Sequence, residues 1–301
     1  MPSYAEIRRQ ELRHIEQSLK DDRKMKQAIG KIYRNSSENI QRHIDADIMR
    51  FAAKENVSMA EAKKIISKTD VEAFQSTAKR YVEEKKTNPK VNKELRRFNV
   101  TMRTNRLELL QARINLDTVM LAWEEEQLTA KYITEEVIKE HIRQAGILGM
   151  TVPSRSQLET LARSVLLSDV SGATFSDRIW ANQNELRANI NQSIERALIR
   201  GEHPRNTVAS IKRLVRDDYG KANRAADRIL VTEVARAQGI SQIESFKDAG
   251  VDKYIWIAEN QPCPDCEELD GQIFGLDEYE AFKTAIPKHP NCLCSLAAYV
   301  E

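Results

Sequence analysis

The chain has 301 residues, with 47 Lys and Arg against 45 Asp and Glu for a formal net charge of +2, and is 31% charged and 6% aromatic. That length suits about two domains of roughly 150 residues, and no run approaches the ~20 consecutive apolar residues of a membrane span. Near-neutral charge excludes a wholesale basic coat for nucleic acid, and the opening MPSYAEIRRQELRHIEQ offers no apolar secretory core, so a protein made and used in cytoplasm is expected.

Ten glycines are present, yet none lies between Gly30 and Gly146, and Pro89 is the one proline in that stretch. A segment so poor in breakers is expected to be helical. Ser58-Met-Ala-Glu61 and Thr69-Asp-Val-Glu72 are capping boxes, in which hydroxyl and carboxylate each satisfy an orphan amide at a helix start. Asn88-Pro89 opens the next element, because the residue before proline avoids the α region and proline suits the first helical turn. From Phe98 the positions Phe98, Met102, Asn105, Leu109, Ala112, Leu116, Val119 and Trp123 alternate four and three apart. That heptad seam predicts a helix on the order of 40 Å, serving either as a bundle helix or as a partner-binding coiled coil.

Gly146-Ile-Leu-Gly149-Met-Thr-Val-Pro153, with two glycines and a proline in eight residues, is the best domain boundary or hinge in the chain. Beyond it, Ser156-Gln-Leu-Glu159 is another capping box, and Ser176 is the expected cap of a helix running to Ile199 or Arg200. Gly201-Glu-His-Pro204 ends that helix. Thr207 to Asp218 and Lys221 to Ala249 are expected as two further helices, the second stopped by Gly250. From Val251 the period changes: Tyr254-Ile-Trp-Ile257 and Cys292 to Val300 have strand character. The expected fold class is therefore mainly α, an elongated helical N-terminal and central region with a small α+β zinc-stapled C-terminal module. The corresponding domains are 1–150, 151–250 and 251–301. The last is too small to stand on an apolar core alone.

All four cysteines fall within thirty-two residues, as Pro262-Cys263-Pro-Asp-Cys266 and, after twenty-two intervening residues, His289-Pro-Asn-Cys292-Leu-Cys294. Two clusters of soft thiolates plus an imidazole, flanking a turn-rich insert, suit a tetrahedral structural Zn²⁺. Four of the five candidates Cys263, Cys266, His289, Cys292 and Cys294 would serve. Cys263 and Cys266 are the firmest, and Cys292 and Cys294 would share a strand face if that strand is regular. Two disulfides would require an oxidising compartment, and a redox-active C-x-x-C is the other competing use. The H-x-E half of the zinc nucleobase deaminase signature is missing, although Pro262-Cys263-Pro-Asp-Cys266 matches its second half. Without a phosphate-cradling glycine loop or a nucleophile elbow, catalysis is not expected.

The stretch from Trp256 through Cys263, Cys266, Asp270-Gly271 and Phe274, closed by Pro287-Lys-His289-Pro290-Asn291-Cys292-Leu-Cys294, resembles the C-terminal module of phage head-morphogenesis proteins, the Mu F-like minor capsid proteins. The likeness extends upstream through Ile199-Arg-Gly201 and Thr232-Glu233 with Arg236-Ala237, and so covers about Ser154 to Glu301. Members often carry Arg-Thr where this chain has Gln261-Pro262, and Cys-Arg-Cys where it has Cys292-Leu293-Cys294. The resemblance implies a non-enzymatic, low-copy head protein that accompanies the portal protein during procapsid assembly, among scaffold and major capsid proteins. It further implies retention in the virion, at the head interior or portal vertex, after assembly in the host cytoplasm, and a part in touching packaged DNA or assisting its ejection. Asp270-Gly271 itself has the character of a tight turn, with glycine supplying φ > 0, and Thr232-Glu233 that of an ordinary polar pair on a helix.

Arg196, Arg200, Arg205, Lys212, Arg213, Arg216, Lys221, Arg224 and Arg228 fall in thirty-three residues with four acids among them, and Lys90 to Arg113 is similarly skewed. Such runs form solvated helix faces or salt-sensitive, non-specific contacts with double-stranded DNA, without base readout. Two alternatives to the virion protein stay open: a zinc-dependent DNA-binding or DNA-processing protein, and a cytoplasmic helical scaffold with a zinc tip. No membrane association is expected.

Overall fold

The computed structural model describes residues 3–52, 76, 106–169, 172–199, 204–281 and 283–300. The capping boxes at Ser58 and Thr69, the Asn88-Pro89 start, and the seam positions Phe98, Met102 and Asn105 lie outside them. The protein is mainly helical: α1 (Tyr4–Ala52), α2 (Arg106–Leu148), α3 (Arg155–Leu167), α4 (Phe175–Ile199) and α5 (Pro204–Asp248) precede a small C-terminal region. That region runs β1 (Lys253–Ile257), the one-turn helix α6 (Pro264–Glu267), β2 (Ile273–Gly275) and β3 (Ser295–Tyr299). No helix among the described residues is long and apolar enough to cross a membrane.

Helix ends follow local chemistry, with several shifts from the sequence expectation. The capping box of α3 is Ser154 with Gln157, two residues before the expected Ser156 and Glu159. Helix α4 is capped by Thr174 rather than Ser176: the Asp177 N–H donates to Thr174 Oγ1 at 3.2 Å and the Thr174 N–H to Asp177 Oδ2 at 3.1 Å. The two helices expected on either side of Gly220 are one. A mid-helix glycine costs about 1 kcal/mol, which burial of Val215, Tyr219 and Ala222 around it outweighs. Gly250, at φ +68°, ends α5: its N–H reaches Lys247 O at 3.0 Å and the Val251 N–H reaches Phe246 O at 2.9 Å, the Schellman pattern. Gly149, at φ +67°, ends α2, whereas Gly146 remains inside the helix.

Along α2, Leu116 and Val119 are buried as the seam requires, but so are Asp117, Thr118, Met120, Leu121 and Ala122 between them. A helix covered on all sides over this stretch is a central bundle helix rather than one with a single heptad stripe.

Contacts divide the chain into two units, 1–28 with 127–178 and 226–301, and 29–126 with 179–225. In the second unit, Ile29, Ile40, Ile44, Ile114, Ile179, Leu186 and Ile190 are fully or almost fully buried. Its polar centre is Glu125, 1% exposed, which accepts hydrogen bonds from Tyr33 Oη and Gln183 Nε2, each at 2.8 Å.

The first unit carries the C-terminal region. Its sheet is antiparallel in the order β2-β1-β3, with Tyr254 opposite Phe274 and Ala298, and Trp256 opposite Leu296. One face, with Tyr254, Trp256 and Leu296, packs on Ala235, Ile243 and Phe246 of α5 and on the four cysteines, of which Cys263 is only partly buried. The other, with Ile255, Ile257 and Ala297, is covered by Ile7 of α1. Beneath it, Arg143 binds Glu11 at 2.8 and 3.0 Å and Glu140 at 2.7 Å, and the Ser295 hydroxyl donates to Glu11 at 2.7 Å.

Candidate metal centre

Cys263 caps α6, whose first turn contains Pro264 and Cys266, and the Cys266 N–H donates to Cys263 O at 3.0 Å. The C-x2-C spacing thus folds into one turn that turns both sulfurs to the same side. The second cluster is a tight turn in which the Cys292 N–H reaches His289 O at 3.1 Å and Asn291 takes φ +62°. Asn tolerates this left-handed region better than most side chains. Cys292 and Cys294 precede β3, which begins at Ser295, so they do not share a strand face as expected. Both are nevertheless buried.

The five candidates come together as two overlapping groups, Cys263, Cys266 and His289, and Cys266, Cys292 and Cys294, with ligand atoms within 4.8 Å of one another in each group. His289 Nε2 lies 3.2 Å from Cys263 Sγ and 3.3 Å from Cys266 Sγ. Its Nδ1 is 2.9 Å from Pro290 O; that carbonyl can only accept, so Nδ1 carries a proton and Nε2 is the nitrogen that faces the sulfurs. Cys266 Sγ and Cys292 Sγ are 3.9 Å apart, and all four cysteines are free thiols. Sulfur separations of this kind are far beyond the ~2.05 Å of a disulfide and match the edges of a tetrahedron with ~2.3 Å metal–sulfur bonds.

Electrostatics describe the same crowding. Hydrogen bonds from Cys266 and Cys294 hold the Cys292 thiol far below its usual range, and the Cys266 thiol, as donor to Cys292, is pushed up. The Cys263 thiol is lowered, first by the Cys266 backbone N–H and then by Cys266 and His289. Three converging sulfurs cannot all ionise without a counter-charge, and a divalent cation supplies one. The set therefore fits a metal, offering five donors for four positions with Cys266 common to both groups.

The surroundings hold this site by side chains that the sequence marked only as a polar pair. Thr232 Oγ1 accepts the Asn291 N–H at 3.0 Å, fixing the second turn to α5. Glu233, 1% exposed, pairs with Arg236 Nε at 2.8 Å and with Arg178, and Arg236 also donates to Val165 O at 3.1 Å and to Ser168. Such a Glu and Arg one helical turn apart, flanked by buried Ala and Val, was the available signal. A glycine inside a helix was another: a Cβ on Gly239 would lie 2.7 Å from Tyr279 Oη and 3.1 Å from Ile286 O.

The basic run is arranged differently. Arg213, Arg216, Arg224 and Arg228 are exposed on α5, and Arg196 is exposed near the end of α4. Lys212 is committed to Asp45 at 2.7 Å, and Lys221 lies 3.3 Å from Asp218. Arg200 and the Arg205 side chain fall outside the described residues, as does most of the Lys90 to Arg113 run.

Residues 188–297, from within α4 to within β3, match the family model described as Phage Mu protein F like protein, and this supports a phage head-morphogenesis family. The match is narrower than the Ser154 to Glu301 stretch of the resemblance and includes all five candidate ligands, Thr232, Glu233 and Arg236. No match to the chain is found among curated proteins or among solved structures.

Proposed function

We propose, from the Mu F-like match, that this protein is a non-enzymatic minor component of a phage head that associates with the portal protein during procapsid assembly and stays in the particle. The observation that carries the reading is that the matched residues 188–297 enclose the whole cysteine and histidine cluster. Zn²⁺ held by four of Cys263, Cys266, His289, Cys292 and Cys294 would serve as a structural staple. A three-stranded sheet with strands of three to five residues has little core of its own, and closing the segment between residues 263 and 294 through a metal offsets that shortage. Four protein ligands leave no position for a substrate, in keeping with a non-catalytic role.

The finer parts of the reading are a virion location, scaffold and shell neighbours, and a sequence-independent contact with packaged double-stranded DNA. The exposed Arg213, Arg216 and Arg224 on one helix favour the DNA contact. Quantitative mass spectrometry of purified particles tests the central claim: a few to tens of copies per particle, recovered with the portal protein, is the expected result, and absence from both procapsids and virions overturns it. For DNA, replacing the three arginines by Ala should reduce the slope of log affinity against log salt by about 2–3; an unchanged slope removes that surface from the proposal.

A further inference from the structure

Asp270 lies four residues beyond Cys266 in the turn that closes α6, where the Leu269 N–H reaches Cys266 O and the Asp270 N–H reaches Glu267 O, each at 3.2 Å. Its Oδ1 accepts the Ala258 N–H at 2.8 Å, and the Gly271 N–H donates to Trp256 O at 2.9 Å. These bonds tie the turn to β1. The same carboxylate receives the start of the chain: Tyr4 Oη donates to Oδ1 at 3.1 Å and Arg8 Nε to Oδ2 at 3.3 Å. Gly271, at φ +79°, passes directly under the Tyr4 ring, where a Cβ would be 3.3 Å from Tyr4 Oη.

Tyr4, Ile7, Arg8 and Glu11 stand at i, i+3, i+4 and i+7, one face of α1, and all four meet this C-terminal region. Their attachment is graded. Glu11 is 3% exposed and fixed by Arg143 and Ser295, whereas Tyr4 is 39% exposed and the Arg8–Asp270 pair is solvent-accessible. Exposed pairs of this type contribute little, because solvent screens them and both side chains lose freedom. The first two turns of α1 are thus held by weak contacts whose geometry depends on where the turn after Cys266 places Asp270.

We propose that residues 3–10 form a clasp on the cysteine-bearing region that is closed while a metal holds the ligand cluster and opens when the metal is lost. The inference rests on the zinc reading above. Without the metal, the Cys263–Cys266 turn keeps its backbone bonds to β1 but loses its bond to the His289–Cys294 turn, whose thiols then crowd it. Displacing that turn carries Asp270 away from Tyr4 and Arg8 and uncovers Ile255, Ile257 and Ala297 beneath Ile7. Metal occupancy is in this way converted into exposure of an apolar sheet face.

Hydrogen exchange on the full chain tests it, comparing zinc-loaded protein, the same protein after chelation, and the zinc-loaded double variant Tyr4→Phe/Arg8→Ala. Amides of residues 3–10 should exchange about ten-fold faster both after chelation and in the variant, while the variant keeps its metal and residues 137–145 stay protected in the variant. Faster exchange at residues 263–272 on chelation, with residues 3–10 unaffected, overturns the clasp and leaves the zinc site standing. Purified protein that carries no metal and does not respond to chelator at residues 263–272 overturns the zinc reading and the clasp with it.

Discussion

Thr232 Oγ1 receives the backbone N–H of Asn291 at 3.0 Å and donates to Arg228 O at 2.7 Å, so a single hydroxyl on α5 fixes the turn that carries His289 and Cys292. Thr232→Val keeps the shape and removes the acceptor. It should cost about 1–2 kcal/mol and lower metal affinity about ten-fold or more, as loss of an outer-shell partner does. Thr232→Ser should restore both, measured by thermal melts and competition with a chromogenic chelator.

Cys266 belongs to both ligand groups, which ranks the cysteine variants. Cys266→Ser should abolish stoichiometric zinc and lower the melting temperature most. Among Cys263→Ser, His289→Ala, Cys292→Ser and Cys294→Ser, the one that retains zinc identifies the donor left over. Metal analysis after gel filtration reads the result, and equal zinc content in wild type and Cys266→Ser would remove the staple.

Gly239 is required by close approach rather than by backbone conformation. Gly239→Ala gains helix propensity of about 1 kcal/mol but forces Tyr279 and the Ile286 carbonyl apart, so the net effect should be a loss of about 1–3 kcal/mol. Adding Tyr279→Phe, which removes the atom only 2.7 Å from the new methyl, should recover part of it in denaturant titrations.

Two buried carboxylates give opposite pH dependences. Burial raises Asp22 to about 6, only partly relieved by the Tyr132 hydroxyl. The folded state thus holds that proton more tightly than the unfolded chain, and its contribution falls as pH rises from about 4 to about 6, then levels off. Asp22→Asn should therefore stabilise at pH 7 by about 1–3 kcal/mol and not at pH 3.5. Glu140 has the other sign: burial raises its carboxyl, but Arg143 and His14 outweigh that and hold it well below the usual range. Its stabilisation is present above about pH 4.5 and lost as pH falls, so Glu140→Gln should flatten the acid limb of the stability curve.

The helical class, the Gly250 stop, the Gly271 turn and the convergence of two cysteine clusters were legible because each rests on local chemistry. Glycine has few competing reasons to appear after a helix, and four thiols in thirty-two residues have few uses. What local pattern could not decide was anything set by packing. Gly220 looks like a break until Val215, Tyr219 and Ala222 are seen buried around it. The seam through Leu116 and Val119 looks like a stripe because Asp117 and Thr118 are polar, yet both are covered. Strand β2 has three residues, too few for a period. The role of Arg236 depends on Val165 and Ser168, about seventy positions away.

The hydrogen bond between Ser295 and Glu11 spans 284 positions of sequence. A ribosome adds residues in order at a rate of ~5–20 per second, so the acceptor is made tens of seconds before the donor exists. Until then the apolar flank of the first helix lacks β3, and Glu11 lacks the Ser295 hydroxyl. Closure waits on that donor, and its non-local character predicts slow folding of this contact. A chain stopped short of residue 295 leaves Ile7 without Ala297 and the cysteine turns without a closing strand, a species suited to recognition by quality-control proteases.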